Sequence, residues 1–301
     1  MRIGTRGSAL ALAQARLVAG ALGQAEIVEI VTSGDRAPAG GDKPRWVKEL
    51  EQALLAGEVD IAVHSAKDVP GELPAGLELV GVPPRADARD ALCGAASLDA
   101  LPAGARVGTS SVRRQAQLRA ARADLDVVPL RGNVDTRLRK LADGDYDAIV
   151  LARAGLERLG RTSEAGAELD PRTFVPAPGQ GALALEARAD DQPAREAGAR
   201  LTDEEALATL RAERALTAAL GGSCHTPIGA HAERAADGRL VLRAFVGLAD
   251  GSAWLRDEFA GRPEEPDELG RSVGERLLAA GARELLERAE READDAEISA
   301  P

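Results

Sequence analysis

Two groups of residues in this chain have the types and spacing to do chemistry. One is a single acid, Asp68, beside Lys67 in the segment HSAKDVP (residues 64–70), which follows the apolar run 59–63 and so stands at the carboxyl end of a buried strand. The other is residues 106–140, RVGTSSVRRQAQLRAARADLDVVPLRGNVDTRLRK, with nine Arg or Lys against three Asp. The formal net charge of the chain is −11, so everything outside this stretch sums to −17. Cations gathered in one place on an acidic protein point to a small polyanion rather than to solubility. Val107 runs into GTSSVRR, and Val127, Val128 and Leu130 run into RGNVDTR. Each then opens a helical pattern, so the cations fall where backbone N–H groups and the helix dipole already favour anions. Arg113, Arg114, Arg131 and Arg137 are read as holding an anion, and Arg119, Arg122 and Arg139 as solvated arginines on amphipathic helices. A carboxylate at position 68 facing such a cleft can stabilise a cationic intermediate while arginines hold anionic substituents. The bland alternative for Asp68 is a capping acid in a βα turn.

Other constellations carry less. His64, Ser65 and Asp68 have the residue types of a hydrolase triad but are nearly consecutive at one strand end and lack a nucleophile elbow. Cys224, His225 and His231 match metal-ligand spacing poorly, so no metal is expected. The glycine pairs match neither a Walker loop nor a complete dinucleotide fingerprint. Cys224, between GGS and HTP, lies in a turn from which a thiol can reach a cleft and serve as a covalent attachment point. A buried small hydrophobe is the competing reading.

The composition bounds the rest. At 301 residues with 45% hydrophobic content, two or three compact units are expected. Aromatics at 2% and the acidic balance argue against nucleic acid, whether single-stranded or duplex. No window is long and apolar enough for a membrane span. The N-terminal apolar run is interrupted by Gln14 and Arg16, and Leu10, Ala13 and Leu17 predict a buried amphipathic helix rather than a signal peptide. Two cysteines are too few for a disulfide framework, which suits a cytoplasmic location.

In chain order the pattern predicts strand 2–5, helix 8–22, strand 26–32, a Gly/Pro-rich loop 33–45, helix 46–56 with Val47, Leu50 and Leu54 inward, and strand 59–63. Residues 85–90 follow a double proline and read as a crossing linker. A second unit repeats the plan: Val107, a helix from Val112, strand 127–130, helix 133–143 with Asn133 as N-cap, and strand 148–151. Two α/β lobes with mainly parallel sheets imply a cleft between them. Residues 176–188 read as a Pro/Gly hinge and an alternating strand returning to the first lobe. From residue 203 the reading is a long helix to 220, the turn GGSCHTPIG, and strands 228–233, 239–246 and 253–259 with Asp-Gly hairpin signals between them. A helix over 268–288 and an acidic, disordered tail follow, so the last part is a small α+β domain.

The segments TRGSALALAQA, VKELEQALL, DIAVHSAKDVP, VGTSSVRRQAQL, LRGNVDTRL, YDAIVLARAGLERLG, PAPGQGALALEAR and GGSCHTPIG, in this order, resemble the signature segments of the porphobilinogen deaminase (hydroxymethylbilane synthase) family. The similarity covers nearly the whole chain; only the part beyond about residue 288 lies outside it. It implies two periplasmic-binding-protein-like lobes of type II, 1–84 with 182–200 and 89–175, a C-terminal domain 204–290 with a three-stranded antiparallel sheet, and the tail 291–301. It further implies a transferase of haem and porphyrin biosynthesis that joins four porphobilinogen molecules head to tail with loss of ammonia and releases 1-hydroxymethylbilane by hydrolysis. The primer is a dipyrromethane cofactor held through a thioether to Cys224. Asp68 is then the catalytic group, contacting pyrrole N–H groups and stabilising the azafulvene cation formed as ammonia leaves. By motif, Ser65, Lys67, Thr109, Ser110, Arg113, Arg114 and Arg137 are cofactor contacts. Arg6, Ser8, Gln14, Lys43, Arg131, Arg137, Arg158 and Gln180 are contacts of substrate or growing chain. The expected partner is porphobilinogen alone, with no nucleic acid and no membrane, and the chain is expected to be a monomer.

Two departures stand out. The loop that carries a Gly-Gly-Lys-Gly core before a Phe in the family reads GGDKPRW here, which hands the Lys and aromatic roles to Lys43 and Trp46 while Pro44 stiffens the loop and Ala39 replaces a Lys of some relatives. Arg153 adds a cation where an uncharged residue is common. A non-catalytic two-lobed anion-binding protein would have no need of Cys224 or of a third domain. A transcriptional effector-binding module would need a helix-turn-helix segment, and none is left over.

Overall fold

The computed structural model describes residues 1–32, 44–222 and 226–298. The first lobe is built from β1 (Arg2–Thr5), α1 (Ala9–Leu22), β2 (Glu26–Glu29), α2 (Pro44–Leu55), β3 (Ile61–Ser65) and β4 (Leu77–Gly81). The second follows with β5 (Asp90–Cys93), β6 (Arg106–Gly108), α3 (Val112–Ala121), β7 (Asp126–Val128), α4 (Val134–Ala142), β8 (Ala148–Ala152), α5 (Arg153–Arg158) and β9 (Ala167–Glu168). The chain then returns through β10 (Leu183–Arg188) and α6 (Gln192–Leu201). The sheet orders are β2-β1-β3-β10-β4 and β7-β6-β8-β5-β9, which is one topology used twice. In each lobe four strands run in the same direction, and the strand that arrives from the other lobe is inserted antiparallel between the third and the last of them. A parallel sheet needs both faces covered, and alternate residues supply both cores. Ile61 and Val63 pack under α1 and α6, whereas Ala62 packs with Leu50 and Leu54 of α2. In the second lobe Leu92 and Val150 face one core, and Ala91, Cys93, Ile149 and Leu151 the other.

The C-terminal unit is α7 (Glu204–Ala219), the antiparallel meander β11 (Ile228–Arg234), β12 (Leu240–Gly247) and β13 (Trp254–Gly261), then α8 (Pro266–Ala279) and α9 (Ala282–Ile298). Its core joins Ala212 and Leu216 of α7 to Leu242 and Ala244 of the sheet and Val273 and Leu277 of α8.

Several elements differ from the sequence expectation. Leu17 is 58% exposed, and α1 instead buries Gln14, Ala15 and Val18, because the helix is rotated toward the strand end that carries Ser65. The second strand stops at Glu29, and β10 is buried on both faces rather than alternating, since it lies in the middle of a covered sheet. The helix expected over 268–288 is two helices, broken at Gly281, whose φ of 98° lies in the left-handed region. The acidic segment read as a tail from 291 continues α9 to Ile298. Strands β4, β5 and β9 and helices α5 and α6 carry no sequence expectation of their own.

The packing of α7 on α8 makes a glycine decisive. A Cβ at Gly270 would lie 2.3 Å from the Ala212 carbonyl oxygen and 2.8 Å from the Leu216 nitrogen, both backbone atoms of α7. Helix propensity favours Ala by about 1 kcal/mol, but overpacking of a rigid contact costs about 1–3 kcal/mol, so the clash wins. Gly270→Ala is expected to lower the urea midpoint. Gly20→Ala in α1, where nothing lies within 4 Å of the added carbon, is expected to raise it.

Candidate active site

β3 ends in a single 3₁₀ turn, Ala66–Asp68, and Pro70 keeps Val69 extended behind it. The turn is clamped by the returning chain: Ala66 N–H donates to Ala182 O at 3.0 Å, and Gly179, at φ 73°, lies so close that a Cβ would sit 2.9 Å from the Ala66 carbonyl carbon. Gln14 Nε2 donates to Ser65 Oγ at 2.9 Å, tying α1 to the strand end. Lys67 Nζ makes a long hydrogen bond, 3.5 Å, to Gln180 Oε1. Burial pushes the Lys67 ammonium down to about 8, opposed by Asp68 and Asp90 and reinforced by Arg114 and Arg113. The Asp68 side chain is half-buried, and among the described residues no hydrogen bond or ion pair engages its carboxylate.

Across the hinge the basic stretch divides by partner. Arg113 and Arg114 stand in the first turn of α3, behind the N-cap Ser111, where the helix dipole disfavours cations. Both point at Asp90, the first residue of β5. Arg113 Nη1 reaches Oδ2 at 2.7 Å, and Arg114 Nε and Nη2 reach Oδ1 at 2.9 and 2.7 Å. Gln180 Nε2 adds a third donor at 3.0 Å. Burial alone would raise the Asp90 carboxyl, but the two guanidinium groups and these hydrogen bonds hold it well below the usual carboxylate range. Thr109 is buried and accepts from Ser111 N–H, and the Ser110 hydroxyl bridges the backbone of Leu130 from the neighbouring loop.

Arg137 and Arg158 differ from that pair. Arg137 Nε donates to Gly132 O at 2.7 Å and Arg158 Nη2 to Gly181 O at 2.6 Å, and neither has a carboxylate partner among the described residues. Burial pulls each guanidinium down to about 10, helped at Arg137 by Arg114 and opposed at Arg158 by Glu157. Arg131 is exposed just ahead of the N-cap Asn133. Ser8 caps α1, and two residues on, Leu10 approaches Gly155 of the other lobe, where an added Cβ would lie 3.8 Å from Leu10 Cδ2. A carboxylate and half-buried cations that have no charged partner among the described residues, gathered at the carboxyl ends of parallel strands, suit a small ligand that carries carboxylates and passes through a cation.

The triad is ruled out by geometry: His64 is buried with its ring nitrogen 2.9 Å from Glu186 Oε2, away from Asp68. Cys93 is 0% exposed, and burial, with Glu164, pushes its thiol up to about 11, which makes it a poor nucleophile. The other thiol, Cys224, and Lys43 lie outside the described residues.

Residues 1–196 match the family model described as porphobilinogen deaminase, dipyromethane cofactor binding domain, and residues 207–279 match that of the porphobilinogen deaminase C-terminal domain. A porphobilinogen deaminase of Syntrophobacter fumaroxidans is 46% identical over 302 residues, covering 95% of this chain and 97% of that one. The chain belongs to the porphobilinogen deaminase family. As a member it is a transferase of tetrapyrrole biosynthesis, joining four porphobilinogens head to tail with loss of ammonia on a dipyrromethane cofactor and releasing 1-hydroxymethylbilane by hydrolysis. Among solved structures, a TRAP periplasmic solute binding protein from Desulfovibrio salexigens shares 13% identity and a TM-score of 0.40 over 68% of this chain and 72% of its own. The BvgS periplasmic VFT2 domain of Bordetella pertussis shares 17% and 0.38 over 66% and 86%.

In this chain two arginines read as solvated are structural. Arg119 donates to Val127 O and, across to the C-terminal unit, to Ala249 O at 2.7 and 2.6 Å, and Arg122 binds Leu98 O, Leu101 O and Asp124. Carbonyls brought from distant segments, invisible in a helical wheel, make the difference. Arg153 pairs with Glu168 on the edge strand β9. Sequence reasoning missed Asp90, Arg85 and Glu213. The Arg85 guanidinium is bidentate to Glu213 at 2.8 and 3.0 Å, and Glu213 also accepts from Gly179 and Ala232 N–H. Glu213 had a legible signal, since it stands on the apolar stripe of its helix with Leu210 and Leu216.

Replacing Asp90 by Asn leaves two buried guanidinium groups without a counter-charge, a loss of about 3–5 kcal/mol by the usual cost of breaking a buried pair. Because the folded carboxyl is depressed, the contribution is complete above the unfolded value of about 4 and is lost as pH falls below it. Urea midpoints of parent and Asp90→Asn are therefore expected to differ by a constant amount between about pH 5 and 8 and to converge below about pH 4.

Proposed function

We propose that Asp68 is the catalytic carboxylate of the family reaction in this chain and that Cys224 carries the cofactor through a thioether. The observation that supports this most is the half-buried Asp68 carboxylate, unpartnered among the described residues, on a turn held rigid by the 179–182 segment. A carboxylate there accepts pyrrole N–H groups and lies ready for the cation formed as porphobilinogen loses ammonia, without first giving up a partner of its own. The dipyrromethane supplies the pyrrole carbon to which the first substrate is joined. Each of its rings carries an acetate and a propionate, and the donors present fit that charge: Arg137 has no counter-ion among the described residues and Arg113 Nε is buried without a hydrogen-bond partner. Ser65, Lys67, Thr109, Ser110, Arg113, Arg114 and Arg137 are assigned to the cofactor. Arg6, Ser8, Gln14, Lys43, Arg131, Arg137, Arg158 and Gln180 are assigned to substrate and growing chain, with Gln180 also setting the hinge through Asp90. A Lys67 near 8 regains its charge when substrate carboxylates enter, which favours binding below that pH.

The working division is 1–84 with 182–200, 89–175 and 204–290. No helix among the described residues is long and apolar enough to cross a membrane, and we infer a cytoplasmic monomer acting on a small molecule.

Two experiments test the assignment. Cys224→Ser should yield folded protein lacking the mass of two linked pyrrole units, while Cys93→Ser retains it; retention in the first variant removes Cys224 from the mechanism. Asp68→Asn should lower kcat by about 10²-fold or more, the usual scale for losing a preorganised charge, with pyrrole binding preserved. Near-normal turnover would make Asp68 a capping residue.

A further inference from the structure

The Asp68 turn is held from a second side by the C-terminal unit. Arg214 on α7 sends its guanidinium to three successive carbonyls just after Asp68: Nη2 to Pro70 O at 2.8 Å and to Gly71 O at 2.9 Å, and Nη1 to Val69 O at 3.4 Å. It forms no ion pair among the described residues, and burial lowers its pKa with only Glu186 opposing. A half-buried guanidinium that spends its donors on neutral carbonyls holds a shape rather than a charge. Apolar packing ties the start of the segment to α7, since Ala66 and Val69 share a buried cluster with Ala206 and Leu210, but at Gly71 a cavity of about 440 Å³, lined also by Leu79, Val82, Leu207 and Arg214 itself, leaves the carbonyls to the guanidinium.

The preceding residue grips the opposite flank. Glu213 accepts Gly179 N–H at 2.7 Å, and Gly179 is the residue pressed against Ala66 and Lys67. Consecutive side chains of α7, about 100° apart around the helix, thus reach both ends of the turn that bears Asp68. The same helix runs on into the segment that contains Cys224.

We propose that Arg214 is a positioning residue for Asp68, fixing the carboxylate relative to the helix that leads to the cofactor cysteine. The inference rests on the reading of Asp68 as the catalytic carboxylate. Misplacing a group that acts only along the reaction path lowers kcat and leaves KM nearly unchanged. For Arg214→Ala, kcat per cofactor-loaded enzyme, with loading measured by mass spectrometry, should fall about 10- to 100-fold with KM within about twofold of the parent. Arg214→Lys, which keeps the charge and loses the fork, should fall between the two, and it carries the test if the alanine variant does not fold. Arg211→Ala, on the same cavity wall but paired with Asp267, should keep the parent kcat. Millimolar guanidinium chloride should restore part of the Arg214→Ala rate by entering the enlarged cavity, and urea at the same concentration should not. A merely structural arginine would lower loading or the thermal midpoint and show no such rescue. Arg214→Ala and Arg214→Lys turning over within about twofold of the parent, while Asp68→Asn is inactive, overturns the positioning role alone. An active Asp68→Asn overturns the underlying assignment instead.

Discussion

One buried carboxylate, Asp90, stands where the two halves of this molecule are joined. It begins the strand that enters the second lobe, and its donors are Arg113 and Arg114 from the first turn of α3 and Gln180 from the segment that re-enters the first lobe. Two adjacent arginines at a helix N-terminus are unfavourable by themselves, and burying them multiplies the cost. Asp90 offsets both, and only when β5, α3 and the returning chain are in register. The cluster therefore specifies one arrangement of the crossing strands more than it adds net stability, since an apolar replacement of similar volume would serve stability as well.

The second network extends that constraint to the C-terminal unit. Arg85, on the first crossing, is bidentate to Glu213 and donates to Gln180 O, so both crossings and α7 share one set of hydrogen bonds. The crossings themselves lie side by side, with Ala86 N–H on Gly181 O and no room for a side chain at position 181. Each lobe thus receives its antiparallel strand from the other, and the carboxyl ends of the parallel strands in both sheets come to face this junction. The site is assembled by the hinge rather than placed beside it.

Partnering sorts the many arginines better than position in the chain does. Arg114, Arg119 and Arg122 have their donors spent on Asp90, carbonyls or Asp124, and Arg113 keeps its Nε without such a bond among the described residues, whereas Arg137 and Arg158 are half-buried with one carbonyl each and no carboxylate among the described residues. A partly desolvated guanidinium without a carboxylate partner is unfavourable, and in the proposed function the carboxylates of the pyrroles relieve it.

Local chemistry legible in the sequence determined a good deal. The Ser8 and Asn133 caps, the inward stripe Val47, Leu50 and Leu54 of α2, the buried strand ending at the Asp68 turn and the antiparallel meander all follow from short-range patterns that the fold respects. The ordered segments from TRGSALALAQA to GGSCHTPIG carried the family as well. What only tertiary structure decided lies in contacts between residues far apart in the chain: that Asp90, 23 and 24 residues from its arginines, is their counter-ion; that Arg119 reaches a carbonyl 130 residues away; that α1 buries Gln14 instead of Leu17. The physical reason is that periodicity and capping report the energy of a segment with itself. The partner of a buried charge, and the face a helix turns inward, depend on which distant backbone arrives to receive them.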